Sequence, residues 1–178
     1  MITAPAGVSL GGAAVGTIIL FLVLQRWWLK GSKGKSDGDG GGGRSWKTLL
    51  PFGLGSLYGM LAILAAGGLL GTIVGIALWG ANGLGDLALI YGVGGNSPMA
   101  SRGQQLALTD GGHVIVLLTT ALVIGAWRWS KKFPRKQVGL GVLCGICLGL
   151  NAGIAGIMAI PLANFANVAG SWWTGVVA

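Results

Sequence analysis

The sequence predicts an all-α integral membrane protein whose four transmembrane helices form two hairpins, with both termini outside. Hydrophobic residues make up 53% of the 178 positions and charged residues only 9%, whereas about a quarter of the residues in a soluble domain are charged. The basic residues fall in two clusters, and all eight tryptophans lie at the boundaries of apolar runs. We expect a single multi-pass domain, residues 1–178, in the cell membrane.

The two basic clusters set the predicted orientation. Six of the twelve Lys and Arg residues lie between Arg26 and Lys47, and five between Arg128 and Lys136. Short basic loops stay in the cytoplasm, so loops 30–48 and 130–137 are assigned to that side. The second loop carries Lys131, Lys132, Arg135 and Lys136. These charges can also contact anionic lipid head groups, and nucleic acid is the less favoured partner.

Four apolar runs account for the predicted spans: residues 8–29, 51–79, 113–129 and 138–163. The second run exceeds the roughly 20 residues that one crossing needs. We therefore expect a tilted or bent helix there, starting near Pro51. The fourth run is interrupted near its end by Pro161.

The connections between the runs are polar or weakly patterned. Residues 30–48 are rich in Gly and Ser and predict a flexible connector. Gly34-Lys35-Ser36 resembles part of a phosphate-binding loop, but Leu29 stands where that motif needs its first glycine. Residues 80–112 are the predicted external segment, with a short interfacial helix at 84–91. The tail, residues 164–178, is expected to lie in the outer interface.

Two runs carry glycines at a spacing of four, which creates a flat strip on a helix. The predicted packing glycines are Gly67, Gly71 and Gly75 in the second run and Gly141, Gly145, Gly149 and Gly153 in the fourth. Small residues at this spacing let two membrane helices approach closely. The two strips could pack on each other, on neighbouring chains, or both.

The polar residues expected in the middle of spans are Thr72, Thr119, Thr120 and Asn151. We predict that Asn151 forms a hydrogen bond across a helix interface to one of these threonines. A pore-lining role is the alternative. No Asp, Glu, Lys or Arg falls in the middle of a predicted span, which argues against ion-coupled pumps and rotary rings.

No residue set predicts catalysis, a cofactor site or a metal site. Cys144 and Cys147 have thioredoxin-like spacing but lie inside an apolar run, where small packing residues are the favoured interpretation. His113 follows Asp110, and the pair is either a helix entrance or an external sensor of protons or metal. We expect no enzyme.

Each half of the chain contains a span, a basic loop and a span with a glycine strip. The two hairpins would then form a parallel repeat, although the identity between them leaves a duplication undecided.

The second hairpin resembles the two-helix plan of conjugative pilins of type IV secretion, through Lys131-Lys132-Phe133-Pro134-Arg135-Lys136 and the strip from Gly141 to Gly153. Phage holins, which are small, cation-flanked proteins that assemble in membranes, are also similar. The resemblance covers this hairpin alone and implies assembly in the membrane.

Three functions follow from the sequence. The favoured one is a non-enzymatic, oligomerising component of a larger membrane assembly, such as a secretion, conjugation or translocation conduit. The alternatives are a self-assembling pore of holin type and an accessory subunit that holds a lipid or pigment against its glycine faces. The expected partners are the lipid bilayer and either further copies of the chain or other subunits.

Overall fold

A computed structural model describes residues 7–31, 46–65, 67–100, 108–129, 134–151, 153 and 157–177. These residues form no strand and six α-helices: α1 (Leu10–Gly31), α2 (Leu50–Leu64), α3 (Gly68–Leu87), α4 (Asp110–Trp129), α5 (Arg135–Gly149) and α6 (Ala159–Val177). A 3₁₀ turn, Trp46–Thr48, precedes α2, and a wider π-helical turn, Ala88–Gly92, follows α3. The predicted all-α class is confirmed.

Within the described part of the chain, three helical segments are long and apolar enough to cross a membrane: Leu10–Leu29, Gly68–Gly92 and Asp110–Trp129. The helices α2 and α5 have 15 residues each, or about 22 Å. That length is less than the roughly 30 Å of a hydrocarbon core. The chain therefore has several helices suited to a multi-pass membrane protein, together with the shorter helices α2 and α5.

The second apolar run forms two helices, where the sequence predicted one tilted or bent helix over residues 51–79. Gly67 is extended, with φ −129° and ψ 168°, and Gly68 has φ +71°. Residues with a side chain rarely adopt that left-handed conformation, so glycine permits the break. The next helix, α3, then continues past Trp79 to Leu87. Residues 84–91 are therefore part of α3 and its π-helical turn, and not a separate interfacial helix.

The fourth run is also divided, which corrects the predicted span 138–163 and the tail 164–178. The helix α5 ends at Gly149. Beyond it, the side-chain oxygen of Asn151 accepts a hydrogen bond of 3.2 Å from Gly153 N, a local turn that competes with helix. Pro161 lies in the first turn of α6, a position that proline tolerates. The proline therefore begins a helix rather than ending one.

The central pair of helices, α2 and α5, is parallel. Gly55 faces Val138 and Gly59 faces Val142, so residue numbers rise together along the contact. The helix α1 packs against α5, with Gly16 against Cys147 and Leu148.

Two antiparallel pairs flank the centre. In the pair of α1 and α3, Gly11 meets Gly85, and Gly12 meets Asn82. In the pair of α4 and α6, Gly111 meets Gly170, and Gly112 meets Asn167. Residue numbers rise along one helix and fall along the other, and the same residue types occupy both contacts. The two helix pairs therefore share the same pattern of contacts.

The structure repeats a three-helix unit, α1–α3 and α4–α6. Counting 86 residues onward takes Gly55 to Gly141 and Phe52 to Val138. A Cβ added to Gly55 would meet the carbonyl of Val138, and a Cβ added to Gly141 would meet the carbonyl of Phe52. Such reciprocal contacts are those made about a two-fold axis. An approximate two-fold axis therefore runs alongside α2 and α5.

The repeat is imperfect at one helix contact. The helix α4 touches α2 less extensively than its counterpart α1 touches α5. Gly16 and Cys144 face each other in the closer contact, and their counterparts are the larger Val116 and Tyr58. Bulkier side chains hold the second pair of helices further apart.

Candidate functional site

The contact between α2 and α5 is a backbone-to-backbone glycine interface, and it is the central feature of the molecule. A Cβ added to Gly145 would overlap the carbonyl oxygen of Ser56 and lie 2.9 Å from Met60 N. A Cβ added to Gly149 would lie 2.9 Å from Ile63 Cγ2. A side chain at Gly145 would separate the helices, because the main-chain atoms that it meets cannot move aside, whereas at Gly149 the nearest atom belongs to the side chain of Ile63.

The second helix of this interface contributes glycines that the sequence analysis overlooked. A Cβ on Gly55 would lie 2.5 Å from Val138 O, and one on Gly59 would overlap the carbonyl of Val142. Their spacing of four, inside Gly53-Leu-Gly-Ser-Leu-Tyr-Gly59, was the available signal. The predicted glycines of the fourth run thus face a strip at the start of the second run.

The other predicted packing glycines have separate environments. Gly71 and Gly75 lie on the buried face of α3. Gly67 precedes that helix and has no neighbour within 4 Å of an added Cβ. Gly153 lies beyond the end of α5, beside Asn151. The two predicted strips therefore do not form two continuous helix faces.

A polar cluster holds the start of α1 against the end of α3. Ser9 Oγ donates to Asp86 Oδ1 (2.6 Å), and Ser97 Oγ donates to the same oxygen (2.5 Å). These hydroxyls in turn accept from the first helical amides, Gly12 N to Ser9 Oγ and Gly11 N to Ser97 Oγ. The carboxylate is thus linked through two hydroxyls to an N-terminus whose dipole favours negative charge.

Main-chain bonds complete the same cluster. Leu10 N donates to Pro98 O and Ala100 N donates to Val8 O, both at 2.8 Å. The amide of Ser9 donates to Asn82 Oδ1 at 3.2 Å. Residues 97–100 therefore form a strap across the start of α1.

The second unit retains half of this arrangement. Thr109 N donates to Asn167 Oδ1 at 2.9 Å, as Ser9 N donates to Asn82 Oδ1 in the first unit. Gly112 N donates to Thr109 Oγ1 at 3.2 Å, as Gly12 N donates to Ser9 Oγ. Ser171 stands at the position of Asp86 and donates to Val168 O. Asp110 instead places a carboxylate in the first turn of α4.

His113 lies one turn into α4. Its Nδ1 is 2.9 Å from Thr109 O, and its side chain is exposed. The contact with Thr109 O is the one expected of a residue at a helix entrance.

The predicted intramembrane polar residues bond chiefly within their own helices. Thr72 Oγ1 donates to Gly68 O, Thr119 Oγ1 to Ile115 O, and Thr120 Oγ1 to Val116 O. The hydrogen bond from Asn151 to one of these threonines stays a prediction.

A cross-helix bond does reach Thr120, from a residue that the sequence analysis did not single out. Tyr58 Oη of α2 donates to Thr120 Oγ1 of α4 at 3.0 Å. This bond lies in the looser of the two equivalent helix contacts, and it joins the central helix of one unit to the first helix of the other.

Replacing Tyr58 with phenylalanine is expected to lower the unfolding free energy by about 0.5–1.5 kcal/mol, because Thr120 keeps its own bond to Val116 O. Titration with sodium dodecyl sulfate, followed by circular dichroism, measures the loss. Thr119→Val is the matched control, since Thr119 bonds only to its own helix in the described contacts. An equal loss in both variants would rule out a special role for the tyrosine bond.

The two cysteines are buried packing residues. Cys144 is 0% exposed and Cys147 is 1% exposed. Cys144 Sγ lies 3.4 Å from Gly16 O, so a small side chain allows α1 to approach α5. Neither thiol can meet a dissolved substrate in this arrangement.

The described cationic side chains lie at one end of the bundle. Arg135 Nη2 donates to Trp127 O at 3.1 Å, which ties the start of α5 to the end of α4. Lys136 is exposed, and Lys131 and Lys132 lie outside the described residues. The ring centroids of Trp27 and Trp46 lie 5.4 Å apart at the same end, with the ring planes tilted by 51°. Asp86 and Asp110 lie at the opposite end.

Within the described ranges, no group of three His, Cys, Asp or Glu residues could hold a metal ion. No family model, curated protein or solved structure matches the chain.

Proposed function

We propose that the protein is a non-enzymatic, self-associating integral membrane protein that forms a structural or conduit component of a larger membrane assembly. The supporting observation is how its glycines are distributed. Some close the centre of the bundle by backbone contact, while Gly80 and Gly83, next to each other on one face of α3, have nothing within 4 Å of an added Cβ. A chain whose interior is filled and whose outer faces still carry glycines is suited to packing against further protein.

The proposed membrane arrangement has four crossings, two of them interrupted, with both termini outside and the basic end in the cytoplasm. Arg26, Arg128, Arg135 and Lys136 would then face the anionic lipid head groups of the inner leaflet of the cell membrane. Nucleic acid is a less favoured partner, because the same charges are explained by orientation.

The mass of the complex extracted in mild detergent tests this proposal. We expect a mass of several times 18.0 kDa after subtraction of detergent and lipid, measured by light scattering across a tenfold range of protein concentration. A monomer at every concentration, in detergent and in lipid nanodiscs, would contradict self-association.

A second candidate function, a solute pathway, is favoured by the paired helix interruptions. The breaks after α2 and after α5 occupy corresponding places in the two units. In transporters built from repeats, interrupted helices at corresponding positions mark the substrate site. Release of a fluorescent dye from liposomes that contain this protein alone tests the solute pathway, because a component that acts only within a larger assembly leaves the dye inside.

A further inference from the structure

The outer face of α3 carries a shallow groove. Gly80 and Gly83 lie on the side opposite Leu78, which is 0% exposed and packs toward α1. Neither glycine has an atom within 4 Å of an added Cβ. Trp79 and Leu84 flank them and are 70% and 71% exposed. The two glycines therefore form the floor of a groove between two large side chains.

The corresponding face of α6 carries a ridge instead. Counting 85 residues onward takes Asn82 to Asn167 and Gly85 to Gly170, the residues that make the same contacts in the two units. The same count takes Gly80 to Phe165 and Gly83 to Val168. These two side chains are 70% and 67% exposed. The groove of one unit thus has a projecting counterpart in the other.

The groove and the ridge lie at the same height and run in the same direction. A two-fold axis along the bundle changes neither the height of a residue nor the direction of its helix. It does turn the outward faces of α3 and α6 away from each other. One copy therefore cannot fit its own ridge into its own groove, but two copies with the same orientation in a membrane can join ridge to groove without a shift in depth.

We propose that Phe165 and Val168 of one copy of this chain insert into the groove formed by Gly80 and Gly83 of a second copy. The resulting contact packs α6 against α3 in parallel, as α2 packs against α5 within the chain. Small residues opposite large ones allow the backbones to approach, which is the basis of association between helices in lipid. This contact rests on the self-association proposed above and assigns its surface.

The exposed side chains around the groove and the ridge supply most of the area of a specific interface. Trp79 on the groove side and Phe165 and Trp172 on the ridge side are 69–70% exposed, and aromatic side chains bury roughly 150–250 Å² each. With Leu84, Leu87 and Val168 added, all more than 60% exposed, the contact approaches the roughly 1,000 Å² that a specific interface needs.

Such a contact joins different surfaces of the two copies, so it does not stop at a dimer. Each added copy presents a new groove and a new ridge, and growth continues as a row or closes as a ring. An assembly of this kind can be tested by blocking each surface separately.

Two variants of the full chain block one surface each. The groove variant combines Gly80→Leu and Gly83→Leu, and the ridge variant combines Phe165→Ala and Val168→Ala. All four positions are uncrowded or exposed, and leucine is a better helix former than glycine, so both variants are expected to fold. Gly139→Leu, at an open glycine outside the groove, is the matched control. Circular dichroism and gel filtration verify folding before association is measured.

Sedimentation in detergent and energy transfer between labelled copies in liposomes measure association. Each variant alone is expected to associate at least about tenfold more weakly than the wild type or Gly139→Leu. An equal mixture of the two variants is expected to form dimers and nothing larger, because one intact ridge meets one intact groove. This mixed dimer is the result specific to the proposed contact.

The other outcomes overturn the proposal in distinguishable ways. If either variant alone associates as strongly as the wild type, self-association stands but uses another surface. A mixture that stays monomeric likewise overturns the pairing of ridge and groove. A wild-type chain that is monomeric throughout, with lipid covering the groove, overturns both this contact and the proposed function.

Discussion

Replacing Gly145 with leucine is expected to disrupt the bundle. A side chain there would overlap the carbonyl of Ser56, and the nearby atom of Met60 also belongs to the main chain. The helices α2 and α5 would have to separate along their length. Overpacking costs about 1–3 kcal/mol even where side chains can adjust, so we expect the loss in unfolding free energy to reach or exceed the upper end of that range.

The matched control for this variant is Gly139→Leu in the same helix. An added Cβ at Gly139 has nothing within 4 Å, so this variant should retain wild-type stability. Modification of Cys144 and Cys147 by a membrane-permeant maleimide reports on the structure directly, since both thiols are buried. We expect slow labelling in the wild type and Gly139→Leu and rapid labelling in Gly145→Leu. Similar labelling in all three proteins would show that the helices are not packed through this glycine.

Replacing Asp86 with alanine is expected to release the strap of residues 97–100 from the start of α1. The carboxylate accepts the hydroxyl bonds of Ser9 and Ser97, and hydrogen bonds to charged groups contribute about 1.5–3 kcal/mol each. We expect a loss of about 2–4 kcal/mol in total, because the hydroxyls can find other partners. Hydrogen exchange at the amides of Leu10 and Ala100, measured by mass spectrometry or NMR, should accelerate strongly.

The control for Asp86 is Asp110→Ala at the start of α4. Asp110 is exposed and contributes mainly through the helix dipole, which is worth about 0.3–1 kcal/mol. Equal losses in the two variants would indicate that Asp86 also acts only through the dipole and that its two hydroxyl bonds add little.

The sequence predicted the helical class and an apolar helix near residues 10–29 and 110–129, because the cause of both is composition over long windows. It did not predict the breaks, whose causes are local. The first break depends on the left-handed conformation of Gly68. The sequence of an apolar run does not show which of its glycines adopts a positive φ angle. The other follows Gly149, where Asn151 turns the chain, although Pro161 pointed toward an interruption some residues later.

The sequence predicted only one of the two helix faces that form the contact between α2 and α5. Gly141, Gly145 and Gly149 were identified by spacing, but spacing alone does not reveal which helix they meet. The partner could have been found from the repeat of Gly-Leu-Gly-x-Leu-x-Gly at residues 53–59 and 139–145. The bond of Tyr58 to Thr120 and the role of Asp86 depend on helices distant in sequence, and nothing local in the chain indicates them.

Because α3 ends at the level at which α1 begins, two such units can share one chain. Ser9 and Asp86 touch, so each unit starts and finishes at the same end of the bundle. A second unit can therefore follow the first through a short connection, without an additional helix to carry the chain back. Sharing one chain fixes the two units in one orientation and in equal number, and it allows their sequences to differ. Gly80 and Gly83 in one unit and Phe165 and Val168 in the other are a difference that two identical subunits could not have.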